Sequence, residues 1–221
     1  FRSSDDDFCW NTGALCYADL FVGEYYDAEK ELEGWLEADY NDQEWKPVAV
    51  KEYGYESLDL QYIPPVKVLR TITPKILRSP AGELILDAGE TIVGVVSFSL
   101  DLKKGHMVKL EHSETLDVHG NYLNNIIGQN KHQTDIYICG TDGICSWQPQ
   151  FTFHGFRYVR VTGGDNCEPT NYTIHVIGTD LEQTGSFTCS DDRLNKLQEN
   201  IVRSQQRSEE HTSELQSHLN L

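Results

Sequence analysis

Residues 147–163, from Trp147 to Gly163, read WQPQFTFHGFRYVRVTG, and this stretch decides the fold class. Phe151, Phe153, Phe156, Tyr158, Val159 and Val161 place aromatic and β-branched side chains at nearly every second position, the spacing that sets one face of a strand against a core. Gly155 interrupts the run. A glycine inside such a pattern marks a bulge or a close backbone approach, so two strand halves kinked at His154 and Gly155 are expected.

Working outward, similar short segments recur: VKVLRTITPKIL, ELILDAG, TIVGVVSFSL, HMVKLEHSE, TDIYICG and TNYTIHVIG. Glycine, proline or Lys-Gly turns separate them, and no helical stretch intervenes, which predicts an antiparallel β-sandwich. Loss of strict alternation around Val93 and Val95 predicts a second bulge near Gly94. Ile63-Pro64-Pro65-Val66 is a rigid, extended junction and marks a domain boundary. Ahead of it, DLFVGEYYDAEKELEGW (Asp19 to Trp35) suits a strand bulged at Gly23, followed by a turn-rich segment anchored by Trp45. The pattern changes at Ser190. Ser190 or Asp191 can cap a helix whose Leu194, Leu197 and Ile201 share one face, with nothing nearby to cover them. The expected fold is mainly β, with two antiparallel β-sandwich, jelly-roll-like modules: residues 1–63 are the C-terminal part of an N-terminal β domain, 64–186 a β-sandwich domain, and 187–206 a helix that opens a helical domain. Residues 207–221 begin with RSEEHTSELQSH, which reads as the conceptual translation of a short-read sequencing adapter, and they are set aside from functional reasoning.

A formal net charge of -17 repels phosphate backbones, and no basic cluster offsets it, so nucleic acid is excluded as a partner. Residues 1–64 carry 16 acidic and 4 basic side chains, so most of the excess lies at the front. The mean hydropathy of -0.49 and the lack of a long apolar run argue against a membrane span. Cys9, Cys16, Cys139, Cys145, Cys167 and Cys189 form no CxxC pair and no scaffold spacing. They read as free, mostly buried thiols, which favours the cytoplasm over secretion.

Chemistry-bearing residues are sparse. Glu111, His112 and Glu114 are close in sequence, but adjacent strand residues point to opposite faces, so the trio should not converge on a metal. His154 lacks a carboxylate partner in its local sequence and reads as a packed or capping histidine. Asp87, before Ala88-Gly89, suits a side-chain to backbone hydrogen bond. Asp19, Glu24 and Asp27, with Trp35 and Trp45, form an acidic and aromatic patch. It suits either sugar contact or a solvated face over two core tryptophans. Asp5, Asp6 and Asp7 read as a solvated charge run.

Four segments together resemble the non-catalytic part of bacterial α-L-rhamnosidases of glycoside hydrolase family 78. They are DLFVGEYYDAEKELEGW with DYNDQEWKPV; Pro64-Pro65-Val66 leading into LDAGETIVGVV; VKLEHSETLDVHGNYL; and PQFTFHGFRYVRVTG. Ala88, Glu90 and Thr91 depart from that family's usual pattern. The resemblance implies a hydrolase that removes terminal α-L-rhamnose from glycosides or polysaccharides with inversion, using two carboxyl groups in an (α/α)6 barrel. The helix at Ser190 would be the first of that barrel, so no catalytic residue falls in this chain, which should be inactive alone. Some family members bind rhamnose with calcium through their N-terminal β domain. That makes Asp19, Glu24, Asp27 and Trp35 the expected carbohydrate contacts, with calcium admitted there and no cofactor required. The alternative is a rhamnose-binding or purely architectural sandwich without enzymatic activity.

Overall fold

A computed structural model describes residues 13–41, 64–124, 132–164 and 168–207, with scattered positions between 43 and 62. The early aspartates, Cys9, Cys167 and residues 208–221 lie outside these. Ten strands precede one helix: β1 (Leu15–Asp19), β2 (Gly23–Asp27), β3 (Val66–Ile72), β4 (Lys75–Arg78), β5 (Leu84–Leu102), β6 (Met107–Ser113), β7 (Thr134–Ile138), β8 (Gly143–Trp147), β9 (His154–Thr162), β10 (Tyr172–Thr179) and α1 (Asp192–Arg207). The fold is mainly β, as the sequence implies. Among the described residues no helix is long and apolar enough to cross a membrane.

The strands form one curled sheet in the order β1-β2-β7-β6-β9-β5-β10-β3, with β4 and β8 also paired to β5. Pairing is antiparallel except between β2 and β7, which run parallel with Tyr25 opposite Ile136. That pair hydrogen-bonds the hairpin before residue 63 to the strands after it.

The segments ELILDAG and TIVGVVSFSL, expected as two strands, are one 19-residue strand, β5. Its first part lies between β4 and β9, and its second meets β10 and β8. The irregularity expected near Gly94 sits between Asp87 and Ile92 in the β5–β9 register. Gly94 serves a different need: a Cβ there would collide with the carbonyl of His175 on β10.

The opening stretch needs a larger correction. β9 begins at His154, so the expected first half-strand through Phe151 and Phe153 is not one, and Phe151 is 65% exposed. The backbone N–H groups of Gln150 and Phe151 donate to Glu24 Oε2 at 2.9 and 2.8 Å, so they are not available to a ladder. From His154 onward the pattern holds. His154, Phe156, Val159 and Val161 turn inward, slipping phase once where β5 bulges opposite. Around them Leu84, Leu86, Ile92, Val96, Leu110 and Ile174 complete the core.

The strand expected around Gly23 is instead a hairpin. Asp19 Oδ1 accepts from the N–H groups of Phe21 and Val22 and shapes the turn, and Gly23 starts β2 with a positive φ of 116°. At the other end Asp191 is the cap of α1: its Oδ1 accepts from Arg193 N at 2.9 Å. Leu194, Leu197 and Ile201 remain about half exposed along the helix. The free-thiol expectation fails for two cysteines, since Cys139 and Cys145, flanking the β7–β8 turn, form a disulfide. Cys16 and Cys189 are free.

Candidate functional site

The most concentrated polar group in the interior joins β6, β7 and β9. His112 on β6, Asp135 on β7 and His154 at the start of β9 are all buried, and Asp135 and His112 are fully so. His154 Nε2 lies 3.0 Å from Asp135 Oδ1, which also accepts from Glu24 N on β2 at 2.9 Å. His112 Nε2 lies 3.8 Å from Asp135 Oδ2. The other ring nitrogen, His112 Nδ1, lies 2.9 Å from the carbonyl of Gln133, an arrangement that requires Nδ1–H as donor. The two imidazoles lie with centroids 4.4 Å apart, tilted by 38°, and Phe156 meets His112 edge-on at 4.7 Å.

Burial and the neighbouring His154 hold the His112 pKa down to about 4, so its ring is neutral at pH 7. Burial pushes the Asp135 carboxyl up, but the adjacent His154 and His112 and the Glu24 N–H outweigh it, leaving the pKa below the usual range. Asp135 is therefore a dry, ionised carboxylate between two imidazoles.

This partner for His154 was missed in the sequence because it comes from another strand. The pairing register does not bring the histidines together either: His112 faces Val159, five residues beyond His154. Their rings nonetheless lie with centroids 4.4 Å apart. As the alternation rule requires, Glu111 leaves the histidines and meets Arg160 in a two-pronged pair, with Nε to Oε2 at 2.7 Å and Nη2 to Oε1 at 2.8 Å. Arg160 also donates to Glu83 at 2.8 Å and lies over the Tyr122 ring at 4.2 Å. Asp87 accepts from Gly89 N at 2.7 Å, as expected, and from Arg157 Nε at 2.9 Å.

The four residues expected to contact sugar do not form one cluster. Asp19 and Asp27 stand at opposite ends of the β1–β2 hairpin. Asp27 is buried, caps the following 3-10 turn through Glu29 N and pairs with Lys30 at 3.0 Å. Glu24 is buried, holds the 150–151 backbone, and has its pKa raised by burial. Trp35 and Trp45, read as core residues in the solvated-face alternative, are instead 52% and 49% exposed. Calcium takes roughly six to eight oxygens, and three carboxylates divided between hairpin ends and already bonded to backbone N–H groups do not fit it.

Fold and site together define a mainly β module, one curled sheet whose buried polar groups bind its own strands to one another. Residues 77–178 match the model of the bacterial α-L-rhamnosidase concanavalin-like domain, and residues 3–70 match that of the α-L-rhamnosidase N-terminal domain. An α-L-rhamnosidase of Formosa agariphila is 32% identical over 200 residues, which is 88% of this chain and 21% of that protein. One from Streptomyces avermitilis is 33% identical over 204 residues, covering 90% and 20% respectively. Among solved structures, the α-L-rhamnosidase from Dictyoglumus thermophilum superposes with a TM-score of 0.79 at 29% identity, over 88% of this chain and 22% of that one. The Streptomyces avermitilis α-L-rhamnosidase complexed with L-rhamnose gives 0.75 at 31% identity, over 92% and 20%. The chain belongs to the bacterial α-L-rhamnosidase family, represented by its N-terminal and concanavalin-like domains. It spans about a fifth of the length of the curated relatives it matches.

Proposed function

We propose that this chain is the non-catalytic β part of a glycoside hydrolase that removes terminal α-L-rhamnose from glycosides or polysaccharides. The observation that carries the proposal is the engagement of its inner carboxylates. Glu24 holds backbone N–H groups, Glu83 and Glu111 share Arg160, Asp87 holds Arg157, and Asp135 lies between two histidines. An inverting glycosidase needs an acid and a base about 6.5–9.5 Å apart on either side of the sugar, with a water between them. Carboxylates committed to cations and backbone in this way are poor candidates for either role. The acid and base then belong to a helical domain, of (α/α)6 type, into which α1 leads with Leu194, Leu197 and Ile201 exposed for packing. The rhamnose specificity rests on the relatives. Incubated with an aryl α-L-rhamnoside, the 221-residue chain should release no aglycone, and measurable turnover would overturn the proposal.

A second role, binding rhamnose without chemistry, is favoured by the exposed ring of Trp35 and the tilted Tyr40–Trp45 pair at 5.5 Å. Titrating the chain with L-rhamnose, with and without calcium, in a calorimeter tests it. Absence of heat under both conditions removes this role and leaves an architectural module.

A further inference from the structure

The hydrolase proposal uses the His112, Asp135 and His154 cluster only to set Asp135 aside as an acid or base, and the cluster is not self-sufficient. Three of its atoms, His112 Nε2, Asp135 Oδ2 and His154 Nδ1, are buried without a hydrogen-bond partner among the described residues. Orphan polar atoms in a dry interior are costly, and most costly on an ionised group.

We propose that His112, Asp135 and His154 bind a zinc ion that cross-links β6, β7 and β9. The geometry of His112 carries the argument. Its Nδ1–H is spent on the Gln133 carbonyl at 2.9 Å, so in the neutral ring Nε2 presents a lone pair. That lone pair faces Asp135 Oδ2, which also has only lone pairs, across 3.8 Å. Two acceptors aimed at each other in a water-poor site repel. The gap exceeds any hydrogen-bond length, yet two metal–ligand bonds of about 2.0–2.2 Å span it. A cation at that point turns the repulsion into two bonds.

The third donor is in place: one ligand atom from each of the three residues can be chosen so that all lie within 4.8 Å of one another. Two imidazoles and a carboxylate are a borderline donor set suited to zinc rather than to calcium or magnesium. The surrounding contacts are also those of a metal site. Ligating histidines characteristically give their other ring N–H to a carbonyl, as His112 does to Gln133, and ligating carboxylates are themselves hydrogen-bonded, as Asp135 is by Glu24 N. Binding through His154 Nε2 would move the single proton of the neutral ring from Nε2, where it bridges to Asp135 Oδ1, to Nδ1, with no net proton release and no change of oxidation state.

The test uses the 221-residue chain expressed with added zinc sulfate and desalted. Elemental analysis should find about one zinc per chain, and X-ray absorption should show imidazole nitrogen and carboxylate oxygen neighbours at about 2.0–2.2 Å without sulfur. Cobalt(II) in place of zinc should give visible d–d bands, lost in His112→Gln and in Asp135→Asn. A zinc-free chain under these conditions overturns the proposal, as does a sulfur shell, which would place the metal on cysteines. A folded His112→Gln that retains its metal overturns it equally. Should either variant unfold, the X-ray absorption of the unsubstituted chain decides alone.

Discussion

The sheet around β9 and the stretch from Leu32 to Tyr62 are both rich in aromatic and aliphatic side chains, and the fold treats them in opposite ways. Around β9 even polar and ionisable groups are inside: Glu111, Asp135, His112 and His154 are buried together with Phe156 and Val159. Among the described residues between 32 and 62 large apolar side chains are outside, with Leu60 78% and Tyr62 88% exposed. Composition alone would rank these regions alike. What separates them is partnership. β9 has β6 on one edge and β5 on the other, so its alternate side chains are enclosed, whereas no strand includes any described residue from 32 to 62. Enclosure also permits buried charge, because the neighbouring strands supply the counter-groups.

The contrast can be broken at the enclosed end first. Phe156→Ala removes a fully buried ring beside His112 and should cost about 3–5 kcal/mol in urea unfolding. Arg160→Met takes the shared guanidinium from Glu83 and Glu111 at once, leaving Glu111 with Lys109 and Glu83 with Ser79 and the Tyr122 N–H. With the arginine side chain 30% exposed, solvent softens the loss to about 2 kcal/mol by the same measurement. Glu24→Ala frees the backbone of Gln150 and Phe151 and should cost about 1–3 kcal/mol, with faster amide exchange at those two positions.

Acid sharpens the comparison further. Burial pushes the Glu83 and Asp87 carboxyls up, but the Tyr122 N–H and Arg160 beside Glu83, and Arg157 and the Gly89 N–H beside Asp87, outweigh it, so both pKa values lie below their ordinary 4.5 and 3.8. The unfolded chain therefore binds protons first. Stability from these groups is present above their ordinary values and lost as pH falls through the lower folded ones, which denaturant midpoints from pH 5 to about pH 2 should show. Glu83→Gln should reduce that slope. At the exposed end, Trp35→Ala should change stability by no more than about 0.5 kcal/mol.

Much of the architecture was legible in local pattern. Val159, Val161 and Phe156 announce an inward face, Pro64-Pro65 precedes β3, and Leu194, Leu197 and Ile201 declare a helix with an uncovered stripe. The site was less legible. Asp87 and its glycine could be read because the contact spans two residues, whereas Glu24 looked like a solvated sugar ligand because its partners are 126 and 127 residues away.

By itself, then, the sequence determined the β class, the terminal helix and the family, because alternation, turn residues and motif order are local properties carried in the chain. Only the tertiary structure decided that the strands share one curled sheet, that Cys139 meets Cys145, and that Asp135 lies between two histidines. Those outcomes depend on which distant strands become neighbours and on how far the sheet bends. No single segment encodes that bend, since it arises from packing all the strands around one core.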